Sequence, residues 1–241
     1  MSYFTLADVY DNINSSAYAP YAEMLMQNFA LADIKVREVL DLGCGTGGIA
    51  AILADNGFDM VGLDISPDML NYARERNAGK NTLLLCQDMR EFELYGTVQA
   101  IYSSFDCLNY ITESKDLKRV FVLAHNYLEK GGLFIFDVNT QYRYERVYAN
   151  NSFVYEFDGI FAVWRNSYDE KTRKCEFEID IFGEESDGSY DRSNELCTQR
   201  LHTREEILAS AEGFELVTVS GGKGFDGCEE KEKEYYIFKR I

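Results

Sequence analysis

The fold of this 241-residue chain is decided by the stretch Glu38-Val39-Leu40-Asp41-Leu42-Gly43-Cys44-Gly45-Thr46-Gly47. An apolar run leads to an aspartate, three glycines alternate with small residues, and a second apolar run follows from Ile49 to Ala54. This order predicts a buried strand, a tight turn and the start of a helix. Glycine lets a ligand approach the backbone closely, and free N–H groups at a helix start attract anions. The stretch therefore predicts a ligand-binding turn.

Two classes of ligand fit this turn. Gly43, Gly45 and Gly48 satisfy the G-x-G-x-x-G pattern of dinucleotide-binding proteins, which is a weak signal when it stands alone. Asp41 at the end of the strand instead suits a positively charged group. A ligand with both an amino group and a carboxylate would use the aspartate and the helix start together, and S-adenosylmethionine is such a ligand.

Three further apolar runs follow the turn. Asp59–Asp64 ends in an acid about 20 residues later, where a carboxylate can hold ribose hydroxyls. Thr82–Met89 contains Asp88, and an acid there suits the amino group of adenine. Val98–Ser103 leads into the polar segment Ser104–Tyr110. Strands that alternate with helix-like segments predict an α/β protein whose parallel sheet has helices on both faces and binds its ligand at the strands' carboxyl ends.

The motifs VLDLGCGTG, GLDIS and CQDM, in this order, resemble those of class I S-adenosylmethionine-dependent methyltransferases. The resemblance is strong over residues 36–138 and looser over 202–241. It implies a Rossmann-like, seven-stranded, mostly parallel sheet with helices on both faces, and S-adenosylmethionine as the cofactor. We expect a small antiparallel β insert in addition.

The resemblance also implies a cofactor site, position by position. Asp41, Gly43 and Gly45 would line the methionine end, and Asp64 would hold the ribose. The predicted cofactor-binding residues are Asp41, Gly43, Cys44, Gly45, Thr46 and Gly47 at the turn, Asp64, Ile65 and Met69 after the second strand, Asp88 and Met89 at the adenine, Phe105 and Leu108 over the sulfonium side, and Tyr10 from the N-terminal segment.

The chain divides into three predicted parts. Residues 1–36 form an N-terminal helical cap, 37–138 with 202–241 form the cofactor-binding core, and 139–201 form an antiparallel β insert. The insert shows four strand patterns with turn residues between them: Ser152–Phe157, Ile160–Tyr168, Arg173–Gly183 and Ser189–Arg200. Because it follows the fifth strand of the core, the insert is expected to be a substrate lid or, alternatively, a dimer surface.

Turn and cap residues predict several boundaries. Ser114 is expected to cap a helix that runs to Leu128 and is ended by Gly131-Gly132. A final hairpin is expected from Phe214–Ser220 and Tyr235–Arg240. The charged run Glu229–Glu234 between these strands predicts a solvated loop.

Composition favours a cytoplasmic enzyme that acts on a small molecule. The 24 basic and 41 acidic residues give a net charge of −17, which argues against a nucleic-acid substrate. No apolar run is long enough to span a membrane, and the first residues lack a signal-peptide pattern. The six cysteines contain no C-x-x-C pair, which favours free thiols over zinc or disulfides.

Methyl transfer is an in-line displacement for which the enzyme mainly aligns the reactants, so no nucleophile is required. The catalytic residues remain unknown at this stage. His125 and His202 are expected to be structural, the first beside an apolar helical stripe and the second before a helix cap. Asp106, Asn109 and Tyr110 follow the fourth strand and are candidates for the acceptor side, although Asp106 could instead cap a helix.

These observations predict an S-adenosylmethionine-dependent methyltransferase for a small-molecule acceptor, with an amine among the candidates. The expected partners are that acceptor and a second copy of the chain, with no nucleic acid, no membrane and no metal. The alternatives are a non-catalytic S-adenosylmethionine-binding regulator and, less favoured, an NAD-dependent oxidoreductase.

Overall fold

A computed structural model describes residues 6–157, 159–221 and 231–241. These residues form five α-helices and eleven strands. Strands and helices alternate through the first half of the chain. Their bounds are α1 Leu6–Ala30, β1 Glu38–Leu42, α2 Gly48–Asp55, β2 Asp59–Asp64, α3 Pro67–Arg76, β3 Thr82–Cys86, β4 Val98–Ser103, α4 Ser114–Tyr127, β5 Leu128–Asn139, β6 Ser152–Phe157, β7 Ile160–Asp169, β8 Lys174–Glu184, β9 Tyr190–Arg200, α5 Arg204–Ser210, β10 Phe214–Gly221 and β11 Lys233–Arg240.

The main sheet has seven strands in the order β10-β11-β5-β4-β1-β2-β3. Strands β1 to β5 pair in parallel, whereas β11 pairs antiparallel with both β5 and β10. The predicted Rossmann-like sheet and its final hairpin are therefore confirmed. The strand order reverses between β1 and β4, and ligands of such sheets bind at that switch point, beyond the carboxyl ends.

Helices cover both faces of this sheet, as predicted. On one face, Phe121 of α4 and Ile207 of α5 pack on Phe134 and Phe136 of β5. On the other face, α1 and α2 pack on β1, β4 and β5 through a second cluster that includes Tyr21. The sheet that carries the candidate site is therefore packed between two buried apolar clusters.

Two predicted boundaries are wrong. The N-cap of α4 is Glu113 rather than Ser114, which is the first helical residue. The helix ends at Tyr127, and β5 begins directly at Leu128 instead of after Gly131-Gly132. The early start follows from sheet pairing, because Leu128 pairs with Val98 of β4 and the register then shifts. Gly131 lies within the irregular part of the strand and has a φ of 84°, a backbone conformation that glycine adopts readily.

The insert forms its own four-stranded antiparallel sheet in the order β6-β7-β8-β9, as predicted. Its inner face buries Phe177 of β8 against Tyr144 and Tyr148, which lie in a short helical turn at Arg143–Tyr148. On its outer face, Asp180 is covered by two arginines of neighbouring strands and is bound by their side chains. The charge of Asp180 is therefore neutralised within the sheet.

The division into cap, core and insert stays a prediction, as do the second copy of the chain and the cytoplasmic location. Within the described residues no helix could span a membrane. The same residues hold no cluster of three metal-ligating side chains, and their cysteines, Cys44, Cys86, Cys107, Cys175 and Cys197, are free. Parts of two predicted loops, at Asp158 and at residues 229–230, lie outside the described residues. Lys233, however, was expected in a solvated loop and instead is the first residue of β11, where its side chain is largely shielded from water.

Candidate active site

The Gly-rich turn after β1 is pinned to the end of β2 by three backbone N–H groups. Gly43 and Cys44 donate to the Leu63 carbonyl oxygen at 2.7 and 2.9 Å. Gly45 donates to Asp64 Oδ2 at 2.8 Å. The turn therefore joins the carboxyl ends of β1 and β2, next to the switch point between β1 and β4.

Glycine is required at two positions of this turn for different reasons. Gly43 has a φ of 81°, and a Cβ there would collide with Cys107 Sγ. Gly45 has a φ of 53°, and a Cβ there would lie 3.7 Å from the Tyr10 ring of α1. A side chain at either position would be strained and would occupy the space in front of the turn.

Asp41 is a buried carboxylate with one unsatisfied oxygen. Tyr102 of β4 donates to its Oδ2 at 2.6 Å, while Oδ1 has no hydrogen-bond partner. Burial raises the pKa of Asp41 to about 8, and the nearby Asp64 charge adds to the shift although the Tyr102 hydrogen bond opposes it. An orphaned carboxylate oxygen is costly, and the ammonium of a bound amino acid moiety would satisfy it. The residues present therefore fit the methionine end of S-adenosylmethionine.

The residues predicted for the ribose and adenine lie around the end of β2. Asp64 accepts from Gly45 N and, through Oδ1, from Ser66 N at 2.8 Å. Burial raises the pKa of Asp64, although its backbone hydrogen bonds oppose the shift. The Ile65 side chain next to it is 64% exposed, so an apolar surface is free for a flat ring. Met69 follows in the first turn of α3, where its N–H is capped by Ser66 Oγ.

Asp88 and Met89 are placed differently from each other. Met89 Cε lies 3.4 Å from the Cβ position of Gly43, so this side chain reaches the turn. Asp88 is instead held by Arg90, whose Nε is 2.9 Å from both carboxylate oxygens. Hydrogen bonds from Arg90 hold the pKa of Asp88 below its ordinary value. An adenine amino group would share this carboxylate with an arginine.

Cys44, Thr46 and Gly47 are turned away from the open side of the turn. Cys44 Sγ lies 3.1 Å from the Cβ position of Gly62 on β2. The Thr46 hydroxyl donates to Asp11 of α1 at 2.6 Å. Gly47 is the N-cap of α2 in a left-handed conformation, and a Cβ there would meet Asn77 Nδ2 at 2.6 Å. A ligand in front of the turn would therefore contact the backbone of these three residues and not their side chains.

The segment after β4 contains two residues that were predicted to contact the cofactor. Leu108 is buried in the core cluster that also contains residues of α4. The Phe105 ring packs 5.7 and 5.4 Å from the rings of Tyr18 and Tyr21 in α1. Cys107 is the residue whose side chain meets the Gly-rich turn, because Phe105 and Asp106 both have left-handed backbones with φ of 54° and 53°. The contacts of Phe105 and Leu108 with the sulfonium side stay a prediction, and Cys107 is a further candidate for this side because its Sγ lies against the Cβ position of Gly43.

Asp106 occupies the N-cap position of the helical turn Cys107–Tyr110, but its side chain does not cap it. Its oxygens accept instead from Lys233 Nζ at 2.8 Å and from Gln199 Nε2 of the insert at 2.7 Å. Burial works to raise the pKa of Asp106, but the Lys233 charge outweighs it and the pKa lies below the ordinary value. A carboxylate held ionised in this way is a poor general base.

Asn109 and Tyr110 have different surroundings. Asn109 is fully buried and bridges the Arg200 carbonyl oxygen and the Asn139 N–H, at 2.8 and 2.9 Å, so it is structural. Tyr110 is 40% exposed, and it interacts with Cys197 of the insert. Tyr110 is thus the residue of this segment that is available to an acceptor.

Both histidines take the structural places that were predicted. His125 packs edge-on against Phe214 and under Gly213. His202 is buried, with Nε2 3.1 Å from the Leu108 carbonyl oxygen, and burial lowers its pKa to about 4. Burial also raises the pKa of Cys107, so this thiol is neutral and is no nucleophile.

Comparisons with known proteins identify the family of this chain. Residues 39–132 match the family described as methyltransferase domain. YqeM of Bacillus subtilis (strain 168), whose name gives a methyltransferase and no acceptor, is 30% identical over 224 residues, or 91% of this chain and 89% of that protein. A Streptomyces venezuelae dTDP-3-amino-3,4,6-trideoxy-alpha-D-glucopyranose N,N-dimethyltransferase is 30% identical over 54% of this chain and 55% of its own length.

The solved structures include an S-adenosylmethionine-dependent methyltransferase from Clostridium acetobutylicum ATCC 824. It is 26% identical, covers 98% of this chain and 97% of its own, and superposes with a TM-score of 0.86. The chain belongs to the methyltransferase family. It is an S-adenosylmethionine-dependent enzyme, and the dinucleotide alternative suggested by the glycines is set aside.

Proposed function

We propose that this enzyme methylates a small-molecule amine. The observation that supports a small acceptor is the hydrogen bond from Gln199 of the insert to Asp106, which joins the insert to the segment next to the Gly-rich turn. The acceptor side is thereby walled by side chains from separate parts of the chain. These are Tyr10 of α1, Cys107 and Tyr110 after β4, Tyr148 after β5 and Gln199 of β9.

We assign the cofactor contacts as follows. Asp41 Oδ1 receives the ammonium, the Asp64 carboxylate receives the ribose hydroxyls, and Ile65 with Met89 packs on the adenine. The bound cofactor supplies an activated methyl group. Tyr10 and Cys107 exclude water from the space in front of Gly43 and Gly45, and water exclusion with alignment is what direct transfer demands of a protein.

An amine is favoured over other nucleophiles for two reasons. A neutral amine carries its own lone pair, so it needs no strong base, and Asp106 and Cys107 are both unsuited to that role. The curated relative that matches 54% of this chain acts on an amino sugar, according to its name.

The test is methyl transfer from radiolabelled S-adenosylmethionine to a small-molecule extract split into two portions. In one portion the amines are blocked by mild acetylation, and in the other they are free. We expect label in the small-molecule fraction of the untreated extract and its loss after blocking. Label that survives blocking would contradict an amine acceptor, and label found only in the protein or RNA of a whole lysate assayed in parallel would contradict a small molecule.

Asp64→Ala is the matched negative control, because it removes a proposed cofactor contact while leaving the acceptor side intact. Transfer that persists in this variant would show that a contaminating enzyme is responsible. S-adenosylhomocysteine formation is measured in the same samples to count every turnover.

A further inference from the structure

Helix α1 is built in two halves on either side of Pro20, which lies inside the helix. Proline has no N–H to donate and weakens the helix at that turn. After it, Tyr21, Leu25 and Phe29 are buried in the core cluster shared with α2. The half after Pro20 is therefore anchored by apolar packing, and the half before it needs other contacts.

The first half of α1 lies over the Gly-rich turn. The Tyr10 ring is 3.7 Å from the Cβ position of Gly45. Asp11 accepts from the hydroxyls of Thr46 and Tyr18, both at 2.6 Å. Tyr18 also occupies the space where Gly48 would carry a Cβ. The first half of α1 and the cofactor turn are thus in direct contact.

Arg76 at the end of α3 joins these groups. Its guanidinium donates to both oxygens of Asp11, and also to Thr46 Oγ1 at 3.0 Å and to the Thr46 carbonyl oxygen at 3.2 Å. The same guanidinium lies 5.8 Å from the centre of the Tyr18 ring. Only a planar, forked donor can serve all three partners, so lysine would be a poor replacement.

Charge supports the same arrangement. Burial alone would raise the pKa of Asp11. Hydrogen bonds from Arg76, Thr46 and Tyr18 outweigh burial, so the pKa of Asp11 lies below its ordinary value. The Arg76 and Asp11 side chains are about one third and one quarter exposed. The pair is therefore ionised, partly shielded from water and stronger than a free surface pair.

The other side of this half-helix contacts the insert. Val9 packs against Ala162, Ile179 and Ile181 of the insert sheet. The first half of α1 is thus a bridge between the insert and the cofactor turn. Arg76 is the ionic link at the cofactor end of that bridge.

We propose that Arg76 is a positioning residue for cofactor retention. It clamps Asp11 to Thr46, keeps the Tyr10 ring over Gly45, and thereby sets how fast the cofactor leaves. Arg76 acts through these residues and has no contact with the reacting atoms. The inference depends on the cofactor site and not on the nature of the acceptor, so the amine proposal can fail without affecting it.

The test uses the full chain and S-adenosylhomocysteine as the probe, with association and dissociation rates measured by surface plasmon resonance. For Arg76→Met we expect dissociation to become about three- to tenfold faster, the range for loss of a partly exposed charge-assisted pair. Arg74→Met is the matched control, since Arg74 lies in the same helix and bonds only Asn71 among the contacts described. It should leave both rates unchanged.

A second pair of variants separates positioning from general stability. The charge swap Asp11→Arg with Arg76→Asp re-forms the ionic link but not the bonds to Thr46, so it should restore part of the slow dissociation, and Asp11→Asn should resemble Arg76→Met even if the latter folds poorly. A folded Arg76→Met or Asp11→Asn protein with wild-type dissociation overturns the proposal. A swap that recovers the melting temperature but none of the slow dissociation also overturns it, because that is what a purely structural pair would give.

Discussion

Lys233 and Asp106 form a largely buried ion pair, with Lys233 Nζ 2.8 Å from Asp106 Oδ1. The same ammonium is 2.7 Å from Asp137 Oδ2 on β5. Asp137 is fully buried and also accepts from Tyr21 of α1 and from the Asp106 N–H. One lysine thus joins the last strand, the fifth strand and the strained turn that presents Cys107.

Removing Lys233 should be strongly destabilising. Lys233→Met leaves two buried carboxylates without their cation, and losing one partner of a buried pair costs about 3–5 kcal/mol. Urea unfolding followed by circular dichroism measures this cost. Lys239→Met on the same strand is the control, because its pairs with Asp33 and Glu215 are largely exposed on the carboxylate side and should contribute about 1 kcal/mol or less. Equal losses for the two variants would contradict the buried triad.

Cofactor binding should release protons at Asp41. Its pKa is about 8, so the carboxyl holds a proton at pH 7, and a bound ammonium beside Oδ1 would expel it. Titration with S-adenosylhomocysteine at pH 7 in buffers of different ionisation enthalpy should show release of about one proton. In Asp41→Asn this release should vanish. Proton uptake, or the same release in the variant, would place the ammonium elsewhere.

The raised pKa of Asp41 also sets a pH dependence of stability. The folded protein keeps a proton that the unfolded chain loses above its ordinary pKa of about 3.9. This contribution to the free energy of unfolding is fully present below that value and is lost as pH rises toward 8. The melting temperature, measured between pH 5 and pH 8, should therefore fall less steeply with rising pH for Asp41→Asn than for the wild type. Parallel curves would contradict the assignment.

Asp64→Ala should lose most of the cofactor affinity while the protein stays folded. A carboxylate that binds two hydroxyls makes charge-assisted bonds, each contributing about 1.5–3 kcal/mol at most. Calorimetric titration with S-adenosylhomocysteine measures the loss. Asp59→Ala, at the other end of β2 beside Arg37, is the control and should bind normally. A normal affinity in folded Asp64→Ala would reject Asp64 as the ribose contact.

Gly45→Val should abolish cofactor binding even at high cofactor concentration. Gly45 has a positive φ and faces the Tyr10 ring, so valine adds both strain and bulk in front of the turn. Gly57→Val is a matched control, because Gly57 has a φ of 89° and nothing lies within 4 Å of its Cβ position. The control should be destabilised but should still bind. Normal binding by Gly45→Val would mean that the cofactor lies elsewhere.

The sequence predicted the fold well because its signals are local. The apolar runs that end in Asp41 and Asp64 identify strands β1 and β2 and place both acids at one edge of the sheet. The four strand patterns of the insert, with turn residues between them, predicted strands β6 to β9. These features need no knowledge of distant contacts.

The parts that were missed depend on contacts between distant segments. Tyr102 holds Asp41 only because β1 and β4 pair in that register. Two residues with left-handed backbones, Phe105 and Asp106, precede Cys107, whose Sγ lies against the Cβ position of Gly43, and no sequence signal marks these two residues. Lys233 was placed in a charged loop because its run of acids and lysines looked solvated, yet its partners lie 96 and 127 residues away.

The central claim is methyl transfer to the nitrogen of a small molecule, and the most direct measurement follows the methyl carbon itself. The enzyme is incubated with S-adenosylmethionine carrying a 13C-labelled methyl group and with the small-molecule extract, and the products are examined by 13C-detected NMR. The account predicts a new N-methyl signal with wild-type enzyme and none with Asp64→Ala. An O-methyl or C-methyl signal, or label found only in macromolecules, would contradict it.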